Sequence, residues 1–496
     1  MRHKPLPLLS AVAWTLLLGL ALAAGLPFGV PGEWVWAPRP DLRFPLPLLG
    51  LTLLALASLV VVAATQRCPR KTHLAVASAL GLTVALRTAF ACLLPTAWQP
   101  VAVFWTLVIA SPVATSFFTE AQQLEHEGVA RYLRHYHETL PTRPFHAATH
   151  PPGLPMVFAA VRRAAQAPLL QRWAPLDDTT LAAVRQVWGK VLPVPAPRRD
   201  ARLPADWELR AAWWGAVLCV LAGCGAVLLW AALLCQQVAE PLRPIAIALA
   251  ATTPAALWWQ PTVDSLHLLV IVAVLAGAVA WRHRAVWTRA ALTGLLGGGA
   301  LWLAFKNALP LAAIGLWLVW TAWREGERQR FAHLALIATL CAAPFVVAWL
   351  LFGFHPIATF QAASASHHAQ AGAHARSYLP WVLLNLADFA MGLGGAWLGL
   401  VAVHLTRWWR SGDRAPSLTV CTLVVLLALD VSGLVRGEAA RLWLPFIPLL
   451  TLEAVKACPP VEGTGRVGLA AALVPVTLQG LMALALHLRL EFLRPW

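Results

Sequence analysis

Charged residues are scarce in this chain. Asp, Glu, Lys and Arg make up 12% of its 496 residues and hydrophobic residues 59%, whereas charged residues are about 25% of an average soluble domain. Apolar windows of about 20 residues, long enough to cross about 30 Å of hydrocarbon, recur from one end of the chain to the other. This composition excludes an ordinary soluble protein, and the recurrence excludes a secreted protein with a cleaved signal peptide.

Signatures of several soluble enzyme classes are also absent. The sequence has no Walker loop, no Gly-x-Gly-x-x-Gly after a strand and no Gly-x-Ser-x-Gly elbow, so no nucleotide cofactor is indicated. Gly297-Gly298-Gly299 lies inside an apolar run and predicts a close helix contact. None of the eight cysteines lies in the long polar loop that begins near residue 116, so a disulfide framework is not expected.

The apolar runs predict an all-α polytopic membrane protein with about thirteen transmembrane helices. They lie near residues 8–28, 45–65, 74–94, 211–235, 244–259, 265–281, 289–305, 307–322, 331–352, 380–403, 416–434, 442–455 and 467–487. From a cytoplasmic amino terminus, the connections predicted inside hold 17 Lys and Arg, against 8 in the opposite short connections and the tail. The positive-inside rule favours this orientation. The net charge of +16 is therefore assigned to orientation and to contact with membrane lipids, not to a nucleic-acid partner.

Three parts are expected along the chain. Residues 1–95 form amino-terminal transmembrane helices, 96–210 form a re-entrant or interfacial segment and a large outer loop, and 211–496 form a transmembrane bundle. Outer loops of that bundle are predicted at 260–265, 353–379 and 435–441.

Two segments of the middle part have specific predictions. Val101 to Phe117 is interpreted as re-entrant or interfacial, because a crossing there would invert every later loop. The stretch from Leu154 to Leu170 places Val157, Val161, Ala164 and Ala165 near one side and Arg162 and Arg163 near another, so it is predicted to lie in the interface as an amphipathic helix.

Four polar groups of residues are predicted on the outer face. They are Glu120 with Glu125 and Glu127; His146 to Gly153, which includes His150-Pro151-Pro152-Gly153; Gln260 to Asp264 with Lys306 and Asn307; and Arg436-Gly437-Glu438-Ala439-Ala440-Arg441. A carboxylate here can take a proton from an attacking hydroxyl, and Glu120 is the first candidate. The alternative for Glu120 is a solvated helix face shared with Arg131 and Arg134. Asp264 is a further candidate, with helix capping as its alternative.

The cationic and imidazole groups suit a phosphate leaving group, which needs positive charge and hydrogen-bond donors. Arg436, Arg441, Lys306, His146 and His150 supply them. Glu438 is placed to orient one guanidinium, and interfacial snorkelling is the alternative for the arginines.

A divalent metal is an open alternative for the histidines. His146 and His150, or His355, His367, His368 and His374, are candidate ligands. Pro151 and Pro152 disfavour a helix continuing beyond His150, and no zinc-type signature is present.

These segments, from about Ser116 onward, resemble polytopic glycosyltransferases of the C type (GT-C), which include protein O-mannosyltransferases and lipid A aminoarabinose transferases. The family pattern has an acid early in a large outer loop, matched by Glu120, and a Pro-Pro element, matched by Thr149 to Gly153. A Pro-and-acid segment and a late Arg-aromatic-Pro segment are matched by Pro244 to Asp264 and Arg436 to Pro448. Glu120 stands where Asp is common, which leaves Glu125, Glu127 and Asp264 as competing bases.

The resemblance implies inverting transfer of a sugar from a polyprenyl-phosphate donor to a glycan, lipid or protein acceptor outside a bacterial inner membrane. Glu120 would act as general base with Asp264 and His150 in the catalytic group. Arg436, Arg441 and Lys306 would stabilise the lipid phosphate, and His146 or His150 would position a substrate. A transporter or lipid-linked-sugar flippase is the main alternative, since spans interrupted by Pro and Gly can line a pathway.

Overall fold

A computed structural model describes residues 6–39, 43–64, 72–144, 146–191, 203–373, 376–412, 414–458 and 465–491. The expected helical class is confirmed: apart from one antiparallel hairpin, the regular elements of this described part are helices. The first part of the chain contains α1 (Leu6–Ala23), β1 (Phe28–Val30), β2 (Trp34–Trp36), α2 (Leu46–Ala64) and α3 (Thr72–Cys92).

The middle and last parts are entirely helical in their regular elements. The middle part contains α4 (Val101–Ala110), α5 (Phe117–Glu127), α6 (Val129–Arg134), α7 (Tyr136–Thr139), α8 (Gly153–Ala165), α9 (Pro168–Trp173) and α10 (Asp178–Val191). The last part contains α11 (Asp206–Gln237), α12 (Arg243–Ala251), α13 (Pro254–Trp258), α14 (Asp264–His283), α15 (Trp287–Leu303), α16 (Ala308–Glu325), α17 (Arg328–Phe352), α18 (Pro356–Ala373), α19 (Tyr378–Leu393), α20 (Gly395–Arg410), α21 (Leu418–Val431), α22 (Ala439–Leu442), α23 (Ile447–Ala454) and α24 (Gly465–Arg489). Short 3₁₀ turns lie at Thr96–Trp98, Leu140–Thr142, Ala147–Thr149, Glu240–Leu242, Phe305–Asn307, Leu444–Phe446 and Val455–Ala457.

Six helices of the described chain are long and apolar enough to cross a membrane. They cover Leu46–Ala64, His73–Cys92, Asp206–Gln237, Asp264–His283, Phe305–Glu325 and Arg328–Phe352. The pair α19 and α20, bent by 107°, raises the number to seven if it counts as one span. Membrane-spanning character is thus supported, but the number of thirteen is not confirmed.

Breaks within apolar runs account for part of the difference. The run at 244–259 divides into α12 and α13 at Pro254, because a proline ring removes a hydrogen bond and clashes with the preceding helical turn. The run at 380–403 bends at Gly394, which has a φ of 91°. Hydropathy alone does not reveal either break.

Two predicted segments of the middle part differ in length or orientation from what the structure shows. Within 101–117, α4 has 10 residues, a length of about 15 Å, which is too short to cross about 30 Å of hydrocarbon. The predicted amphipathic helix of 154–170 ends at Ala165, and Arg162 lies on its buried side. The prediction that Arg162 faces away from the apolar side is therefore wrong. Arg162 is buried because it pairs with Glu125 and Glu208, each at 3.0 Å.

Helices α14 and α15 bring Asp264 and Lys306 to one end of the bundle. The two helices pack side by side, and a Cβ on Gly277 would lie 2.7 Å from Thr293 Oγ1. Because α14 starts at Asp264 and α15 returns to end at Leu303, the turn holding Lys306 lies beside Asp264. The predicted close contact of Gly297-Gly298 is confirmed, since Cβ atoms there would meet Cys341 Sγ at 2.6 Å and Leu340 O at 2.8 Å in α17.

The hairpin β1–β2 was not predicted. It lies against α19, where Trp36 Nε1 donates to Asp388 Oδ1 at 2.8 Å. A Glu33 carboxylate oxygen accepts from the Ser377 backbone N–H at 2.8 Å and from Trp381 Nε1 at 2.7 Å. The amino-terminal part is thereby joined to the last part.

The glycine of the His-Pro-Pro-Gly element permits a close backbone approach. A Cβ on Gly153 would lie 2.1 Å from Trp302 O, whereas a Cβ on Gly299 would meet nothing within 4 Å. We expect Gly153→Ala to lower the free energy of unfolding by about 1–3 kcal/mol, as overpacking does. Gly299→Ala should be neutral or stabilising by up to about 1 kcal/mol. Denaturant unfolding in detergent compares the two, and equal effects would contradict the close approach.

Candidate functional site

An ion pair between a buried carboxylate and a partly buried ammonium forms the centre of the candidate site. Lys306 Nζ lies 3.0 Å from Asp264 Oδ1, with 27% and 10% of the two side chains exposed. Thr262 Oγ1 donates to Asp264 Oδ2 at 3.2 Å. These contacts do not support the alternative that Asp264 caps a helix, because its carboxylate binds an ammonium and a hydroxyl. Pairing offsets the large cost of placing either charge in a poorly hydrated position.

Arg441 and Glu438 approach this pair from α22 and the residue before it. Arg441 Nη2 lies 2.5 Å from Glu438 Oε2, and the Arg441 guanidinium lies 5.9 Å from the centre of the Trp259 ring. Arg441 and Asp264 interact electrostatically. The prediction that Glu438 orients a guanidinium is confirmed for Arg441.

The backbone of this segment is fixed to α19. Asn385 Oδ1 accepts from Gly437 N–H at 2.9 Å, and Asp388 Oδ2 accepts from Ala440 N–H at 3.0 Å. Glu438 itself has a φ of 58°, a left-handed conformation that costs a non-glycine residue about 1 kcal/mol or more. Two side chains of a neighbouring helix therefore hold Arg441 in place at the expense of local strain.

His150 is held as one neutral tautomer. Its Nδ1 lies 2.8 Å from His146 O, and since a carbonyl oxygen only accepts, Nδ1 carries the proton and Nε2 keeps its lone pair. Burial, Lys306 and His146 lower the pKa of His150 to about 3. Burial and Arg441 lower the pKa of His146 to about 4. Both imidazoles are therefore neutral at pH 7.

His267, which the sequence analysis missed, has the opposite tautomer. Asn307 Nδ2 donates to Ala300 O at 2.8 Å and contacts His267 Nδ1 at 3.2 Å. His267 Nδ1 therefore accepts and Nε2 carries the proton. The rings of His150 and His267 lie 6.3 Å apart. One turn of helix separates His267 from Asp264, and this i, i+3 spacing was the available sequence signal.

Several buried polar atoms around these residues lack a hydrogen-bond partner within the described part of the chain. They are both amide atoms of Gln260, His267 Nε2, Asn307 Oδ1, Arg441 Nε and Trp443 Nε1. Buried polar groups are nearly always satisfied, so a polar ligand or water suits this region. We call Asp264, Lys306, His146, His150, Glu438 and Arg441 the Asp264 cluster.

Glu120 lies in a different buried group. It is 3% exposed, its Oε2 lies 3.1 Å from Arg143 Nη1, and Tyr132 OH lies 3.4 Å away. The Arg143 guanidinium also lies 4.4 Å and 4.0 Å from the Tyr132 and Tyr136 ring centres. The alternative of a solvated face for Glu120 is thus wrong. Arg143 was missed because it lies 23 residues further along the chain, with no local pattern joining the two.

A hydrogen bond links the two groups of residues. Tyr136 OH donates to His150 O at 2.9 Å. Arg143 and Tyr136 thus support the backbone from which the His150 ring extends. This places Glu120 behind the Asp264 cluster, as a partner of the residues that support it.

Arg436, unlike Arg441, is not brought to the Asp264 cluster. Its guanidinium donates to Gly433 O at 3.2 Å and to Arg376 O at 2.5 Å, and it lies 5.8 Å from the Tyr378 ring centre. These contacts hold the loop before α22. The prediction that Arg436 acts beside Arg441 on one phosphate is not supported by this placement.

His355, His367 and His368, three of the candidate metal ligands, lie just before or within α18. Among the described residues, no group of three or more His, Cys, Asp and Glu is arranged to hold a metal ion. His367 and His368 lie on α18, where their rings contact Leu434 O at 3.2 Å and Ser364 O at 2.7 Å. The His355 ring packs 5.1 Å from that of His137. His374 lies outside the described residues.

Comparison with known proteins finds no relative of this chain. The chain matches no protein-family model, no curated protein and no solved structure.

A structural role for Glu120 predicts a loss of stability on its neutralisation. Glu120→Gln leaves the Arg143 charge buried without an anion, which typically costs about 3–5 kcal/mol. Chemical unfolding in detergent measures the change, and Glu120→Gln/Arg143→Met should recover part of it. Glu127→Gln, at the less buried end of α5, should change stability by no more than about 0.5 kcal/mol. Wild-type stability in Glu120→Gln with loss of activity would instead support Glu120 as the base.

The lowered pKa values of His146 and His150 predict lower stability in acid. An unfolded imidazole binds a proton near pH 6.5, whereas the folded ones do so near 4 and 3. Between these values the unfolded state binds more protons, so stability falls as pH drops from 7 to 5, by about 1–2 kcal/mol per imidazole. His146→Asn/His150→Asn should show a shallower decline in melting temperature. A wild-type slope in the double variant would contradict the prediction.

Proposed function

We propose that this chain is a membrane glycosyltransferase of the GT-C type that moves a sugar from a polyprenyl-phosphate donor to an acceptor. One observation carries the proposal: carboxylate, ammonium, guanidinium and imidazole groups from distant parts of the chain meet in the Asp264 cluster. Asp264 and Lys306 form the 3.0 Å pair, and Arg441 acts electrostatically on Asp264. Lys306 likewise acts on His150. Such a set supplies both the base and the phosphate-binding charges that the reaction requires.

The proposed reaction is a single displacement at the sugar's anomeric carbon. The acceptor hydroxyl oxygen forms a bond to that carbon while the bond from the carbon to the phosphate oxygen breaks. The electron pair leaves with the polyprenyl phosphate, and the hydroxyl proton passes to Asp264. Attack opposite to the leaving group inverts the configuration. Donor and acceptor together balance the reaction, so no oxidant or third reactant is needed.

The structure changes which acid we assign as the base. Glu120 is held by Arg143 at 3.1 Å and is almost fully buried, so an acceptor would have to displace an arginine to reach it. Asp264 instead lies beside two cations, Lys306 and Arg441. Near Asp264, the buried atoms His267 Nε2 and Asn307 Oδ1 have no hydrogen-bond partner among the described residues. The Asp264 carboxylate is thus placed next to groups suited to a phosphate.

Lys306 and Arg441 bind the leaving phosphate in this proposal. A guanidinium can contact two phosphate oxygens, whereas an ammonium acts as a compact charge. The Nε2 lone pair of His150 accepts a hydrogen bond from a second, non-reacting hydroxyl of a substrate and orients that substrate. Glu438 pairs with Arg441, and Arg441 in turn acts electrostatically on His146.

The location in the cell follows from the same proposal. Helices long enough to cross a membrane include α14 and, with its preceding turn, α16, and the Asp264–Lys306 pair lies at their adjoining ends. A lipid-linked donor can reach such a position laterally through the bilayer. The basic-residue distribution favours the outer face of an inner membrane for this end.

A flippase without transfer chemistry is the second candidate. The 107° bend between α19 and α20 favours it, because discontinuous helices are common at transporter sites. Both candidates require a lipid-linked sugar, but only the first forms a new glycosidic bond.

Transfer assays separate the two candidates and test the site. Reconstituted protein receives a labelled polyprenyl-phosphate sugar and cell-envelope acceptor extract. Asp264→Asn should lower the transfer rate by about 10²–10⁴-fold, and Arg441→Gln by about 10²–10³-fold. Arg163→Gln, which changes an exposed arginine of α8, is the control and should keep most of the activity.

Two other results of these assays would count against the transferase or against its site. Translocation of the donor without product would support the flippase. Wild-type transfer rates in folded Asp264→Asn and Arg441→Gln would reject the Asp264 cluster as the reaction centre.

A further inference from the structure

We infer that α9 lies in the lipid–water interface and that the groove beside it binds the phosphate of an anionic phospholipid headgroup. The groove has a volume of about 680 Å³, within the roughly 300–1,000 Å³ range of small-molecule sites. Its lining is Pro168, Gln171, Arg172, Ala174, Pro175, Leu176, Asp177 and Arg210. None of these residues belongs to the Asp264 cluster, so the inference does not depend on the proposed glycosyltransferase activity.

Helix α9 exposes large apolar side chains although it lies in a polar part of the chain. Leu169 is 55% exposed and Trp173 is 62% exposed, and no α9 residue is buried. Trp, in particular, is enriched where one end of a side chain is in lipid and the other in water. Exposed apolar side chains on a short helix therefore favour contact with lipid over contact with water.

Contacts with α11 set the depth of α9. Trp214 Nε1 donates to Leu170 O at 2.9 Å, and Gln171 Nε2 donates to Trp207 O at 3.4 Å. α11 has 32 residues, a length of about 48 Å, so it exceeds about 30 Å of hydrocarbon by several turns. α9 therefore packs on the first turns of α11, where the helix leaves the hydrocarbon. Trp207, Trp213 and Trp214 at this level fit an interfacial aromatic belt.

The charges of the groove suit an anion. Arg172 and Arg210 contribute two guanidinium groups, against one carboxylate of Asp177. The Asp177 Oδ1 atom already accepts from Thr180 N–H at 2.8 Å, at the start of α10. Arg210 Nη2 donates to Leu176 O at 3.2 Å, and its buried Nε has no hydrogen-bond partner among the described residues. Two guanidinium groups that line one groove are suited to the oxygens of a phosphate.

Lipid retention tests the headgroup assignment. The full-length protein is purified in detergent with phosphatidylglycerol or phosphatidylcholine, and bound lipid is counted by native mass spectrometry. Phosphatidylglycerol should be retained about tenfold more strongly, and Arg172→Gln should abolish that preference. Arg163→Gln, which changes an exposed arginine outside the groove, is the matched control and should retain it. Equal retention in the two variants would overturn the assignment, as would displacement of the lipid by inorganic phosphate or preferential retention of polyprenyl phosphate.

Spin-label accessibility tests the depth of α9 separately. A nitroxide at Leu169→Cys in nanodiscs should be more accessible to oxygen than to a water-soluble nickel chelate. A nitroxide at Glu138→Cys, an exposed position of α7, should show the reverse. Equal accessibility at the two positions would overturn the interfacial placement of α9, whatever the retention experiment shows.

Discussion

The arrangement of the candidate site depends on one buried pair, Asp264 with Lys306. Each charge would cost several kcal/mol in a poorly hydrated position without its partner, so the two helix ends that carry them are held together. α14 begins at Asp264, and the return helix α15 ends three residues before Lys306. Small residues such as Gly277 allow the two helices to approach closely. The position of the pair therefore follows from the length and packing of two antiparallel helices.

The carboxylates near this end of the molecule divide into two roles according to their partners. Glu120 is paired with Arg143, whose guanidinium packs on Tyr132 and Tyr136. Tyr136 OH then supports the backbone oxygen of His150. This second ion pair fixes the direction from which an imidazole enters the Asp264 cluster. A carboxylate can thus be required for the site without contacting a substrate.

The helical class, several of the spans and the residues of the Asp264 cluster could be predicted from the sequence. These features depend on hydropathy and on the rarity of charge in apolar runs. Asp264, Lys306 and Arg441 were expected on one face, and the structure brings them together. Arg162 and Glu120 were misplaced because their burial depends on Glu208 and Arg143, partners that lie far along the chain. The hairpin and the break at Pro254 were missed for a related reason: tertiary packing decides whether a Pro or Gly ends an apolar helix.

The charge balance of the Asp264 cluster connects its resting state to the proposed chemistry. Lys306 and Arg441 carry two positive charges, Asp264 and Glu438 carry two negative ones, and both histidines are neutral at pH 7. Burial and the nearby cations lower the pKa of His146 and His150. An anionic phosphodiester bound to Lys306 and Arg441 would offset those cations and raise both pKa values. His150 Nε2 would then be a stronger hydrogen-bond acceptor for the substrate hydroxyl that it orients, while Asp264 receives the proton of the attacking hydroxyl. Donor binding, in this account, increases the basicity of the site at the moment when an acceptor must lose its proton.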